Sequence, residues 1–160
     1  MTRLEAMTEE DFQESLERSI QRHATEYARR GLWTEDAALE ASRLGFALLL
    51  PQGRATPHRR FCNVIEETLG SRVGETWYTV EEKGGKVQFW MDWILIDPPH
   101  RRRGHATRVL GLLEEEALRL GADRTGLSVW VDNPGAVALY AKLGYVATNM
   151  RMMKPIGRPR

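Results

Sequence analysis

The length, composition and charge of the chain already exclude several classes of protein. Its 160 residues suit one domain with a sizeable core, and 42% hydrophobic with 28% charged residues is typical of a globular protein. A formal net charge of +1 gives no large field to attract nucleic acid, and no apolar run approaches the roughly 20 residues that span a bilayer. The single cysteine, Cys62, excludes an internal disulfide and a cysteine metal cluster, so we expect a protein of the reducing cytoplasm.

Two helices are predicted in the first third of the chain. The first begins at Thr8, where a hydroxyl cap is followed by three acids that suit the positive end of a helix, and it stops at Gly31. The second begins after Thr34 and ends at Pro51. Its apolar positions share one face: Ala37, Ala41, Leu44 and Leu48.

Strands follow a loop over residues 51–57. Residues 61–65 and 73–80 are rich in β-forming side chains, and 83–86 is a hairpin turn with two glycines. Residues 87–96 form a long strand that is nearly apolar on both faces. Because such a strand must be covered on both sides, it indicates a position in the middle of a sheet with helices packed over it.

The last third alternates helices and strands. The predicted order is a helix over 104–120, a strand over 127–131, a helix over 134–143 and a strand over 145–153. We therefore expect a single α/β domain over residues 1–154, with a mixed sheet, and a frayed tail over 155–160.

The segment 96–107 has the features of a phosphate site, because it joins a buried strand to the start of a helix. Unpaired backbone N–H groups and the helix dipole favour an anion there. Gly104 and Ala106 allow close approach to the backbone, and three consecutive arginines raise the local positive potential. The lysine–hydroxyl pair of the nucleoside-triphosphate loop is absent, as are the three glycines of the dinucleotide fingerprint.

Two motifs, in order along the chain, resemble the GCN5-related N-acetyltransferase (GNAT) family. Arg101-x-x-Gly104-x-Ala106 is similar to that family's pyrophosphate motif, Q/R-x-x-G-x-G/A. Residues 133–145 are similar to its later pattern, N-x-x-A-x-x-L-Y-x-x-x-G-F/Y. The resemblance covers about residues 87–153. It implies a GNAT-like α/β fold, with a mixed, mostly antiparallel central sheet flanked by helices and with two N-terminal helices.

The resemblance also implies the chemistry. Acetyl-coenzyme A (acetyl-CoA) would be the cosubstrate, with its pyrophosphate on the loop and helix start and its pantetheine arm paired with the long strand. Asn133 would hydrogen-bond that arm, and Tyr140 would protonate the leaving thiolate. The implied cofactor-binding residues are Ile94, Leu95, Ile96, Arg101, Arg102, Arg103, Gly104, His105, Ala106, Thr107, Asn133, Ala136 and Tyr140.

The chain departs from the family at the residue expected to act as the general base. Members often use a glutamate on the long strand, which here contains only Asp92. Strand alternation puts Asp92 on the same face as Ile94 and Ile96. An acid among apolar neighbours is costly to ionise, and a raised pKa suits a base near neutral pH. Glu81 and Glu82, acting through water, are the alternatives.

Each of these residues also has a purely structural interpretation. Asn133 can serve as a helix cap, Tyr140 as a core aromatic and Asp92 as a hydrogen-bonded strand residue. His105 replaces the apolar residue that the family often has, so we expect it to be exposed. The histidines lack metal-ligand spacing, so we predict no metal.

The favoured function is an N-acetyltransferase that acts on a primary amine of a small molecule. Two alternatives remain open: a protein N-terminal or lysine acetyltransferase, which needs an open groove, and a sensor that binds acetyl-CoA without catalysis. No nucleic-acid or membrane partner is expected. The sequence is compatible with a homodimer, but it specifies neither the oligomeric state nor the acceptor.

Overall fold

The computed structural model describes residues 1–154 and 156–157. Among these residues the contacts define two compact units, one over Met1–Ser128 and one that begins at Val129. None of the helices so described is long and apolar enough to cross a membrane. The elements are β1 (Thr2–Ala6), α1 (Glu9–Arg29), α2 (Glu35–Leu49), β2 (Arg59–Glu66), β3 (Ser71–Lys83), β4 (Lys86–Ile96), α3 (His105–Arg119), β5 (Ala122–Leu127) and α4 (Pro134–Lys142).

The first unit is built on one five-stranded sheet in the order β1-β2-β3-β4-β5. Its first three neighbouring pairs are antiparallel, and β4 pairs with β5 in parallel. The parallel pair requires a crossover, which α3 supplies between the two strands. The predicted mixed, mostly antiparallel sheet is therefore confirmed.

Helices α1 and α2 cover one face of the sheet with an aromatic core. Thr8 and Asp11 form a capping box at the start of α1, as the acid-rich start predicts. The cluster beneath comprises Met7, Phe12, Leu50, Phe61 and Trp77, all buried. Burying each of these large side chains contributes about 1.5–3 kcal/mol. This layer fixes the side of the sheet on which Trp77 and its neighbours lie.

Helix α3 covers the opposite face. It packs against β1, β4 and β5. Its inner stripe contains Val109, Leu110, Leu113 and Ala117, all of which are buried. Tyr78 and Phe89 stack on this side with ring centroids 5.0 Å apart. Because α3 is held along its length, the position of its first turn relative to the end of β4 is fixed.

Several sequence-based boundaries were wrong. Strand β1 was not predicted, and the strand expected at 127–131 ends where it was predicted to start, at Leu127. Residues 145–153 form no strand; Val146 is 80% exposed and Met152 84%, and they lack the burial and the ladder partner that a strand requires. Of the tail predicted to fray, only residues 156 and 157 are described.

The predicted apolar face of α2 is also not the face that packs. Leu44 is 62% exposed and Leu48 74% exposed. The helix instead buries Ala38 and Ser42, and the Ser42 hydroxyl donates a 2.9 Å hydrogen bond to the carbonyl of Ile20 on α1. Small residues at this contact let α2 approach α1 closely.

Candidate active site

The start of α3 forms an open anion cradle. Gly104, the residue before the helix, has a φ of +85°, the left-handed conformation that favours glycine. No side chain caps the first turn, and that turn contains no acid. A Cβ added at Gly104 would meet no atom within 4 Å. The first turn's backbone N–H groups, from His105 to Thr107, precede the helical hydrogen bond from Arg108 to Gly104 and have no side-chain cap, so they suit a pyrophosphate.

The three arginines before the helix are exposed, and one of them shapes the loop. The Nε–H of Arg101 donates a 2.9 Å hydrogen bond to the carbonyl of Ile96, the last residue of β4. Arg102 has a φ of +62°, which turns the chain sharply before Gly104. Arg101 thus ties the loop to the strand end, while Arg102 and Arg103 contribute positive charge at the cradle.

The expectation that His105 is exposed was wrong. This residue is only 7% exposed, and its Nδ1 shares a 2.9 Å hydrogen bond with the hydroxyl of Thr2 on β1. Its Nε2 lies 3.5 Å from a carboxylate oxygen of Glu66 on β2. The imidazole therefore anchors the first turn of α3 to the edge of the sheet. Only the backbone of His105 remains a candidate for binding an anion.

Strand β4 has an open edge next to this cradle. Its pairing with β5 ends at Met91, opposite Leu127, although β4 continues to Ile96. From Asp92 to Ile96, no further ladder partner lies on that side in the described part of the chain. Unpaired backbone groups on a strand edge are a template for an extended ligand. The edge includes the predicted Ile94, Leu95 and Ile96.

A β-bulge interrupts β4 at Asp92. Tyr78 pairs with Met91 and Trp77 with Trp93, so Asp92 lies opposite no residue of β3 in the ladder. Trp93 therefore faces the aromatic core that contains Trp77, the same side as Asp92. The alternation that was expected to put Asp92 on the face of Ile94 and Ile96 fails here, and that expectation was wrong.

The Asp92 carboxylate is held by two neighbours and its side chain is only 23% exposed. The Thr79 hydroxyl donates a 2.5 Å hydrogen bond to its Oδ2, and Arg59 Nη1 lies 3.1 Å from the same oxygen. Burial raises the pKa of Asp92 above its ordinary value, and the negative charge of Glu81 adds to this; the bonds from Thr79 and Arg59 oppose it. The predicted rise in pKa is confirmed, although Asp92 is also hydrogen-bonded structure.

The solvent-exposed part of Asp92 is mainly its backbone. The residue as a whole is exposed, whereas its side chain is mostly covered. A bulge leaves the extra residue's peptide groups outside the ladder, so they are available to a ligand. A cleft of about 230 Å³ opens beside the bulge, and its walls include Arg59, Thr79, Glu81, Gln88, Trp90 and Asp92.

Glu75 is a buried acid that sequence reasoning missed. It lies on β3, is fully buried and forms an ion pair with Arg18 of α1. The indole Nε1–H of Trp93 donates a 3.3 Å hydrogen bond to its carboxylate. The signal was a charged residue within the otherwise uncharged, β-rich run from Val73 to Val80. Paired in this way, Glu75 fixes Trp93 directly after the bulge.

The second unit, which begins at Val129, contains the remaining predicted residues. Asn133 caps α4 through Oδ1, which accepts a 3.3 Å hydrogen bond from the N–H of Ala136. Tyr140 is 8% exposed and packs edge-on against Tyr145, with ring centroids 5.8 Å apart. Burial, with a contribution from Tyr145, raises the pKa of Tyr140, so its hydroxyl keeps its proton at neutral pH. The structural roles foreseen for Asn133 and Tyr140 are present, and their cofactor roles stay predictions.

The fold is that of an acyltransferase family, which sequence comparison also identifies. The Acetyltransferase (GNAT) family profile matches residues 2–145. The chain therefore belongs to the GNAT family, and it is an acetyltransferase. Acetyltransferases of this family generally use acetyl-CoA.

Particular relatives come from Bacillus subtilis (strain 168). The chain is 34% identical to the uncharacterized N-acetyltransferase YdgE over 153 residues, which is 96% of this chain and 97% of YdgE. It is 29% identical to the uncharacterized N-acetyltransferase YycN over 154 residues, 96% of this chain and 97% of YycN. The crystal structure of the putative acetyltransferase YycN superposes with a TM-score of 0.91 at 26% identity, covering 99% of this chain and 100% of that one.

Proposed function

We propose that this protein transfers the acetyl group of acetyl-CoA to a primary amine of a small molecule, by direct attack in a ternary complex. The observation that carries the proposal is the open edge of β4, which runs from the bulge at Asp92 to Ile96 and is followed by the anion cradle. An extended ligand with an anionic end fits this arrangement, because the edge offers strand-like pairing and the cradle offers backbone donors.

In this proposal the cosubstrate lies in one direction along the site. With its pyrophosphate on residues 101–107, the pantetheine arm runs along Ile94, Leu95 and Ile96 toward the bulge. At about 3.3 Å per residue, the edge from Asp92 to Ile96 is roughly 13 Å long. The thioester end therefore reaches the bulge at Asp92. Acetyl-CoA supplies an activated acyl thioester there.

The residues at the bulge act on the amine. The neutral amine nitrogen forms a bond to the acyl carbon, and the carbon–sulfur bond breaks. Asp92, whose pKa is raised by burial, takes the proton that the amine loses. The exposed peptide groups at the bulge include an N–H that donates to the acyl oxygen as negative charge develops on it.

Residues of α4 complete the proposal by their match to the family motif. Tyr140 gives its hydroxyl proton to the leaving thiolate, a role that its raised pKa supports because the residue is protonated at neutral pH. Asn133 donates to the pantetheine arm through its side-chain amide. Ala136 follows it on the same helix and leaves room for the cosubstrate, having only a methyl side chain.

The test is an assay of thiol release from acetyl-CoA with purified protein and a panel of amines. The panel spans amino acids, aliphatic amines, aminoglycosides and short peptides with free N-termini. Release that depends on one class of small amine supports the proposal. Binding of acetyl-CoA in calorimetry without release for any amine points instead to a sensor, and release with peptides alone points to a protein acetyltransferase. Absence of binding refutes the proposal.

A further inference from the structure

The cleft beside Asp92 lies where an acceptor must approach, if the proposed function holds. Its lining residues Thr79 and Asp92 share the face of the sheet that carries the aromatic core. The thioester end of the cosubstrate reaches the same bulge along the strand edge. An amine in this cleft therefore meets both the proposed base and the acyl carbon, and the cleft's remaining side chains select the acceptor.

The cleft carries an excess of negative charge. It contains one cation, Arg59, whose guanidinium is engaged by Asp92 and Thr79. Glu81 adds a second carboxylate without a second cation, and its charge is felt at Asp92, where it raises the pKa. Glu81 is two residues beyond Thr79 on β3, so it points to the same face about 7 Å away. The two carboxylates thus lie about one strand repeat apart.

The indole of Trp90 forms an aromatic wall of the cleft between the carboxylates of Asp92 and Glu81. It pairs with Thr79 across the ladder and is 44% exposed, a large fraction for an indole. One side of its ring lies against Gly126 of β5, where a Cβ would come within 2.3 Å of the ring. The ring is therefore braced by backbone while it lines the cleft. Exposed indole faces attract organic cations, and a nearby carboxylate strengthens the site.

We propose that the acceptor is a short aliphatic diamine. Its attacking nitrogen lies at Asp92, and its second nitrogen, which stays protonated, lies between Glu81 and Trp90. The spacing of the two carboxylates suits nitrogens separated by about 5–7 Å, which corresponds to chains of about three to five carbons. This deepens the proposed function, on which it rests, by assigning Glu81 and Trp90 to specificity rather than to proton transfer.

The first test compares three acceptors of equal chain length on the wild-type protein. These are 1,4-diaminobutane, butylamine, which lacks the second nitrogen, and 4-aminobutyrate, which replaces it with a carboxylate. We expect kcat/KM to be at least about tenfold higher for the diamine than for butylamine, with 4-aminobutyrate poorest, as one charge-assisted contact implies. Equal values for the two amines overturn the diamine proposal and leave the acetyltransferase proposal standing. Preference for 4-aminobutyrate also overturns it, in favour of carboxylate recognition by Arg59.

The second test separates specificity from catalysis with Glu81→Gln. We expect KM for the diamine to rise about tenfold, while kcat for the diamine and the constants for butylamine change little, because Glu81 makes the smallest contribution to the raised pKa of Asp92. A fall in butylamine turnover would instead make Glu81 part of proton transfer and overturn the assignment. Glu114→Gln is the matched control, since it removes the same charge from an exposed site on α3, across the sheet. Release with none of the amines, despite binding of acetyl-CoA, overturns both proposals.

Trp90→Leu tests the aromatic wall independently. It keeps an apolar side chain over Gly126 but removes the π face, so the diamine should lose about threefold to tenfold in kcat/KM and butylamine much less. Equal losses in kcat/KM for the two acceptors would mean that Trp90 only packs against its neighbours and does not recognise the second nitrogen. Thermal melts of each variant, compared with the wild type, exclude unfolding as the cause of any loss.

Discussion

The two ends of the candidate site are built in different ways. The cradle at the start of α3 consists of backbone from one continuous segment, 101–107, and its side chains either point outward or, like His105, turn into the sheet. The end at Asp92 consists of side chains from β2, β3 and β4, joined by hydrogen bonds. A continuous backbone site leaves a short motif in the sequence, whereas a site assembled across strands depends on register. Side-chain changes at the first end should therefore have smaller effects on activity than changes at the second.

The largest effect is expected from Asp92→Asn, which removes the proposed base while keeping the shape of the side chain. We expect kcat at pH 7 to fall about 10³-fold, with a smaller loss at pH 9, where more of the free amine is already neutral. Initial rates of thiol release at the two pH values measure this. Affinity for acetyl-CoA should be unchanged in calorimetry. Full activity at both pH values would remove Asp92 from the mechanism.

Tyr140→Phe should have a smaller effect, a fall in kcat of about 10²-fold. Thiols have a pKa of about 8.5, so a thiolate can leave with less help than an alkoxide needs. Tyr145→Phe is the matched control, because it removes a hydroxyl from the ring that packs against Tyr140. Equal rates for Tyr140→Phe and the wild type would leave Tyr140 as a packing residue only.

Gly104→Val tests the backbone end. A β-branched residue at a φ of +85° costs about 1–2 kcal/mol and puts methyl groups where the pyrophosphate approaches, so the Kd for acetyl-CoA should rise about tenfold. Gly111→Ala, in the middle of α3, is the control and should leave the Kd unchanged while stabilising the protein by about 0.5–1 kcal/mol. Calorimetry and urea unfolding measure the two quantities. An unchanged Kd for Gly104→Val would contradict the cradle.

His105→Ala should act on binding rather than on chemistry. Loss of the buried contact with Thr2 should lower the free energy of unfolding by about 1–3 kcal/mol and loosen the first turn of α3. We expect KM for acetyl-CoA to rise about threefold to fivefold with kcat nearly constant. Thr2→Val, which breaks the same bond from β1, should behave similarly. A selective fall in kcat in either variant would argue against this positioning role.

The smallest predicted effect is on how the free energy of unfolding depends on pH. Because the fold raises the pKa of Asp92 above its ordinary value, the native state keeps a proton that the unfolded chain has already lost. Stability therefore falls as pH rises from about 4 through the raised pKa, and it stays lower above it. Asp92→Asn should lack this decline, so its unfolding free energy relative to the wild type should improve between pH 3 and pH 7 in urea titrations. A pH-independent difference would contradict the raised pKa.

The fold was largely predictable because its helices have local signals. The cap at Thr8, the acids after Thr34 and the glycine before α3 gave the starts of three helices to within a residue or two. Strand β1 was missed because its five residues alternate polar and apolar side chains too briefly to be distinguished from a loop. Strand β5 was misplaced because Ala122–Leu127 is mostly polar and is a strand through its pairing with β4.

The candidate site likewise combines features that depend on local sequence with features that depend on distant residues. The cradle followed from the spacing of Arg101, Gly104 and Ala106, since backbone geometry there depends on residues close in sequence. The face of the sheet on which Asp92 lies could not be predicted from the sequence. A bulge arises from the register of β3 against β4 and leaves no mark in the composition of either strand. The burial of His105 depends on Thr2, which is 103 residues away in the chain.

The bulge at Asp92 reverses which positions of β4 face each side of the sheet. Before it, Phe89 and Met91 belong to the layer under α3; after it, Trp93 and Leu95, still at odd positions, belong to the layer under α1 and α2. Deleting Asp92 would remove the bulge and leave Trp93 and Leu95 in their layer, because Met91 and Trp93 already pair with the successive residues Tyr78 and Trp77. In an alignment with a relative whose strand is regular, a one-residue gap therefore belongs at Asp92, because an alignment without it would assign every later side chain of β4 to the wrong face of the sheet.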